Sequence, residues 1–124
     1  MEATELRIGN LVDVFGLLGT VKSINGFVAK IRLSGGGEAK YKHTDINGIP
    51  LTEEWLLKFG FEKEDDMLRL KTTSFDFNFR EGKITIGEMD DLRYTHWTTP
   101  SIGHVHQLQN LFFALTGEEL KYTL

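Results

Sequence analysis

The stretch LRIGNLVDVFGLLGTVKSINGFVAKIRLSGGGEAKYKHTDI, residues 6–46, decides the fold. Short apolar-rich runs alternate in it with glycine-bearing turns. Leu11-Val12-Asp13-Val14 precedes Gly16 and Gly19, and Thr20 to Ile24 precedes Asn25-Gly26. Phe27 to Leu33 precedes Ser34-Gly35-Gly36-Gly37, and Glu38 to Lys42 follows. Asn-Gly between apolar runs is the strongest short hairpin signal, because a type I′ turn needs positive φ at both central residues. Strands of this length and spacing predict a small SH3-like β-barrel. One conflict is built in: Val21 and Ile24 are three apart and can share a strand face only across a bulge.

C-terminal to this stretch the pattern changes to helix. Thr52 suits an N-cap, Glu53 and Glu54 suit a first turn, and Gly60 suits the left-handed C′ position. Leu51 is placed to staple onto Leu56 at the start and Phe61 to fold back onto Leu56 at the end. Trp55, Leu56 and Phe59 form the apolar side of this short helix. Glu62 to Asp66 reads as an acidic connection. The period then returns to two: Phe75, Phe77 and Phe79 alternate with Asp76, Asn78 and Arg80, and Glu81-Gly82 leads into Lys83-Ile84-Thr85-Ile86. A two-residue turn there sets Phe79 opposite Ile84 and Phe77 opposite Ile86. Glu88 to Asp91 reads as a second acidic turn, Ile102 to Val105 as a strand, and about His106 to Thr116 as a helix closed by Gly117. Leu120, Tyr122 and Leu124 alternate as a terminal strand would.

Tyr94 to Gly117 contains no Asp, Glu, Lys or Arg, although 26% of the chain is charged. Surface helices normally turn charge toward solvent, so the helix in this run is expected to be covered on more than one side. At 100° per residue Val105, Leu108, Leu111, Phe112 and Leu115 make one apolar stripe. His106, Gln109, Asn110 and Phe113 lie opposite. These four are either folded over by the same chain or form a face for contact with another protein or a second copy.

The totals bound the rest. A chain of 124 residues fits one domain or two small halves. It has no cysteine, which removes disulfides, thiolate catalysis and Cys-type zinc sites and fits a reducing cytoplasm. The start, MEATELRIGN, has no basic region or apolar core, so no signal peptide is expected. No apolar run approaches the roughly 20 residues of a membrane span. A net charge of −4 does not favour a general nucleic-acid binder. The charge is uneven, however: residues 1–48 hold six Lys/Arg against five Asp/Glu, and residues 49–124 eight against thirteen.

RIGNLV at 7–12, PLTEEWLLKFGF at 50–61 and VHQLQNLFFALTGEEL at 105–120 together resemble a group of short uncharacterised proteins of Bacteroidetes genomes and their phages or integrated elements. The resemblance implies a cytoplasmic protein associated with a phage or mobile element. It brings no activity and no catalytic residues. The 94–104 segment, with His96, Trp97 and Pro100, is less typical of the group.

Candidate chemistry is sparse. His104 and His106 share a face if their segment is a strand, with His96 nearby and His43 far upstream, but no carboxylate lies between Asp91 and Glu118. A transition-metal site wants three or four convergent ligands, so capping and packing histidines are the preferred reading and no metal or cofactor is expected. Ser34-Gly35-Gly36-Gly37 lacks the Gly-Lys-Ser/Thr and helix of a P-loop. Glu64-Asp65-Asp66 and Glu88-Met89-Asp90-Asp91 lack the alternating ligands and glycine of an EF-hand. Lys30 with Arg32, and Lys40 with Lys42, each share a strand face; with Lys22 they form a candidate basic stripe. Its bland reading is a solubilising outer face.

The expectation is an α+β protein: an SH3-like barrel over 1–48, and an antiparallel sheet with two short helices over 49–124 packed against it. Its expected function is that of a non-enzymatic protein-interaction or assembly module. The alternative is a nucleic-acid-associated accessory protein that uses the basic stripe.

Overall fold

Strands β1 (Leu11–Val14), β2 (Leu17–Asn25), β3 (Val28–Leu33) and β4 (Glu38–Lys42) follow one another as antiparallel hairpins. A 3-10 turn at His43–Asp45 then leads into β5 (Ile46–Asn47), which pairs with β1. The order β4-β3-β2-β1-β5 makes a curled, five-stranded half-barrel. The computed structural model describes residues 5–72, 75–81, 83–89, 94–98 and 102–123.

Apolar side chains on the concave face explain this sheet. Leu6, Val12, Val14, Val21, Ala29, Ile31 and Ile46 form its core, with Ile24, Leu33 and Tyr41 packed against it. Val21 and Ile24 both reach the core because the β2–β3 register shifts between Val21 and Ser23, leaving Lys22 as the extra residue. The bulge resolves the spacing conflict in the sequence. It also moves the turn. Asn25 pairs with Val28, so Gly26 (φ +52°) and Phe27 form the loop rather than Asn25-Gly26. This register sets Val21 opposite Ile31 and Ile24 opposite Ala29. Apolar pairing across the strands outweighs the local turn preference, since register is fixed where one face is buried.

Two compact units divide the chain: Met1–Pro50 with His104–Leu120, and Leu51–Gly103 with Lys121–Leu124. The first unit therefore takes in helix α2 (Val105–Thr116). The sequence reading grouped that helix with the C-terminal residues.

The second unit opens with α1 (Glu53–Lys58). Thr52 Oγ1 accepts the Trp55 N–H at 3.3 Å, and Gly60 takes φ +91°. Phe61 N–H donates to Leu56 O and Gly60 N–H to Leu57 O, both at 3.0 Å, closing a Schellman motif. A five-stranded antiparallel sheet follows, in the order β10-β9-β8-β7-β6. Its strands are β6 (Glu62–Glu64), β7 (Met67–Lys71), β8 (Phe75–Arg80), β9 (Lys83–Met89) and β10 (Tyr94–Thr98). Phe77 pairs with Ile86 and Phe79 with Ile84, the register expected from the sequence, and Phe77, Ile84 and Ile86 are buried.

Three further expectations fail. Glu62 to Glu64 is a strand rather than a connection: it pairs with Arg69 to Met67, and its charges are tolerable because it is an edge. Ile102 to Val105 is no strand. Pro50 and His104 form a single isolated bridge, and Val105 already belongs to α2. Leu120 and Tyr122 lie in no strand despite their alternation; in this tail Thr123 N–H donates to Lys58 O at 2.9 Å. Alternation over so few residues is a weak signal when no neighbouring strand is offered. Of the two acidic turns, Asp90 and Asp91 fall outside the described residues, and Glu88 belongs to β9.

Candidate functional site

Residues 5–11 pass along the polar side of α2 and bind it through side-chain amides. Leu11 N–H donates to Gln109 Oε1 at 2.8 Å, and Gln109 Nε2 donates to Gly9 O at 3.3 Å. Asn110 Oδ1 accepts from Asn10 Nδ2 (2.8 Å) and Arg7 Nε (3.1 Å), while Asn110 Nδ2 donates to Glu5 O (3.1 Å). The Arg7 guanidinium also pairs with the Glu119 carboxylate and lies 4.3 Å from the centre of the Phe113 ring. Of the candidate contact face, His106 and Gln109 are therefore buried and Asn110 is half-buried, and Phe113 remains 39% exposed beneath an arginine. The helix carries no charge here because a backbone segment of its own unit covers it, and uncharged amides satisfy that backbone.

His104 and His106 open the helix. His104 is its N-cap, and its N–H donates to Gln107 Oε1 at 3.1 Å. The two imidazoles stack at 5.6 Å. Gly48 lies against both: a Cβ there would fall 2.7 Å from His104 Cδ2 and 3.0 Å from His106 Cε1. His106 Nε2 sits 3.8 Å from the Glu5 carboxylate. Burial, and then His104, hold the His106 pKa below its ordinary value, against an opposite pull from Glu5. No group of three His, Asp or Glu able to hold a metal occurs among the described residues. The side chain of His96 lies outside the description.

The basic stripe assembles in part. Lys22, Lys30, Arg32, Lys40 and Lys42 are all exposed. Lys30 stands directly opposite Lys40, and Arg32 opposite Glu38. Lys22 occupies the bulge on β2, one strand further in.

A feature that sequence reasoning missed lies at the β1–β2 turn. Val14 pairs with Leu17, so Phe15 and Gly16 form a two-residue loop with φ of +52° and +84°. Phe15 is 72% exposed and Leu17 54%. The Phe15 ring meets Tyr41 of β4 edge-on, with centroids 6.2 Å apart. The available signal was an aromatic residue at a hairpin position that ordinarily takes Asn, Asp or Gly.

In the second unit, Gly60, Glu62, Glu64, Arg69, Leu70 and Lys71 line an open depression of about 330 Å³. Arg69 is paired there with Glu64 (3.7 Å) and Asp76 (3.0 Å). Among the described residues no helix is long and apolar enough to cross a membrane. No protein-family profile, curated protein or solved structure matches the chain.

Proposed function

We propose that this protein is a non-enzymatic interaction or assembly module that holds a protein partner on the rim of an SH3-like barrel, around Phe15. Four hairpin-linked strands, a 3-10 turn and a short fifth strand returning to β1 support the SH3-like reading. The observation that carries the function is the backbone of Phe15. A bulky L-residue in the left-handed region costs roughly 1–2 kcal/mol, and this one also leaves its ring in water. Neither turn chemistry nor core packing asks for phenylalanine there. The edge-on contact with Tyr41 returns about 0.5–1.5 kcal/mol and fixes the ring in a turn whose neighbour Leu17 is also exposed. Pre-positioned aromatics of this kind are the anchors that dominate protein interfaces. The cysteine-free composition and the resemblance to Bacteroidetes phage and mobile-element proteins support a cytoplasmic setting of that origin.

Phe15→Asn tests the reading. Asparagine relieves the backbone strain, so the melting temperature is expected to rise, by up to about 1 kcal/mol in stability, while the protein captured by the tagged wild-type chain from nuclease-treated host lysate is lost. Unchanged capture, or a melting temperature lowered by several degrees, would show that the ring is a structural prop.

A further inference from the structure

A different surface of the same sheet concentrates positive charge. Lys30 and Arg32 of β3 and Lys40 and Lys42 of β4 point away from the core, on the face opposite Ile31 and Tyr41. Four cations there meet the single carboxylate of Glu38, 3.2 Å from Lys30 Nζ, which leaves a surplus of three in a chain whose total is −4. The adjoining positions on β2 are neutral: Ser23 stands opposite Lys30 and Thr20 opposite Arg32. Like charges directly across a strand pair, such as Lys30 and Lys40, cost stability. An arrangement of that kind is favourable once a polyanion lies over it. Beside it, at the β2–β3 loop, Phe27 is 90% exposed and precedes Val28, the cross-strand partner of Lys42.

We propose that this face binds single-stranded nucleic acid, with phosphates along Lys30, Arg32, Lys40 and Lys42 and an unpaired base on the Phe27 ring. A cationic track beside an open aromatic is the combination that holds single strands without sequence preference. A duplex would use the cations but leave the ring idle, because its bases are already stacked. An acidic protein segment would likewise use the charge alone. The negative remainder of the chain repels phosphate elsewhere and confines binding to this face. The proposal shares no residue with the Phe15 reading, so either can fail without the other.

The test is fluorescence anisotropy of a labelled oligothymidine of about 15 nucleotides with the full chain, from low to physiological salt. Four phosphate contacts predict that log K falls with log salt with a slope of about −3. Lys30→Gln with Arg32→Gln, and separately Lys40→Ser with Lys42→Ser, are each expected to weaken binding at least tenfold at low salt and to flatten the slope. Phe27→Ser, at a solvent-exposed loop tip, is expected to weaken it about fivefold or more with the slope unchanged. Lys83→Gln with Lys121→Gln, an equal charge change in the other unit, should stay within about twofold, and circular dichroism should show every variant folded. Absence of binding at low salt would overturn the proposal, as would equal loss in the control variant. Polyglutamate competing as well as the oligonucleotide would assign the face to acidic protein, and a duplex bound equally with no effect of Phe27→Ser would remove the single-strand claim.

Discussion

Gln109 offers its side-chain amide where a neighbouring strand would offer its backbone, accepting a hydrogen bond from the Leu11 N–H and donating one to the Gly9 carbonyl. An unpartnered buried N–H costs as much as a lost hydrogen bond, so the residue types along this face follow from the backbone they cover. His106, one turn earlier, has a different consequence. It is buried, with Glu5 and His104 the titratable groups beside it. Burial, chiefly, holds its native pKa below 6.5, whereas in the unfolded chain it titrates near its ordinary value. The unfolded state therefore binds more protons in the interval between the two, and stability is lost as pH falls through that interval. Above about pH 7 both states are neutral and the effect vanishes. Melting curves from pH 7.5 to 5 are expected to fall more steeply for the wild type than for His106→Gln, and parallel curves for the two would exclude His106 as the cause.

At the scale of elements, α1 and the β8–β9 hairpin are legible in the sequence because their determinants are local. Thr52, Glu53, Glu54 and Gly60 mark the two ends of the helix within a few residues of one another. Alternation on both sides of a two-residue turn fixes Phe77 on Ile86 and Phe79 on Ile84. Gly60 can be tested directly. A Cβ at this position meets Leu70 Cδ1 at 3.9 Å, an ordinary contact, so the penalty is conformational, set by φ +91°. Gly60→Ala is expected to cost about 1–2 kcal/mol in urea denaturation, and a loss below about 0.5 kcal/mol would mean that the motif can re-form without the left-handed residue. At Gly19 the obstacle is packing instead, since a Cβ there would run into Ile31 Cγ2. The β2–β3 loop, β6 and the 102–105 segment were misread for a common reason. Their conformation is set by what they pair with or lead into, a bulged β2–β3 register, the β7 strand and the α2 helix, rather than by the residue types within them.

Across the whole molecule, chain order and structural grouping part company, because α2 joins the unit built from Met1–Pro50 after the chain has completed most of the other. Without α2, the Leu11 N–H and Gly9 O lose the amide that serves them and Leu11 loses its cover. A fragment of residues 1–50 is therefore expected to show little sheet by circular dichroism alone and to gain it when a peptide of residues 104–120 is added; a fragment that folds cooperatively by itself would refute this dependence. The sequence by itself determined the hairpin-rich N-terminal sheet, the β8–β9 register, both helices and the unusual absence of charge along α2. Each of these rests on periodicity, turn chemistry or composition within a short window. Tertiary structure alone decided that residues 5–11 cover the polar side of α2, that a bulge moves the β2–β3 loop, and that Phe15 stands exposed in a strained turn against Tyr41. Those outcomes depend on backbone groups and side chains brought together from positions as far as 105 residues apart, for which no local pattern can stand in.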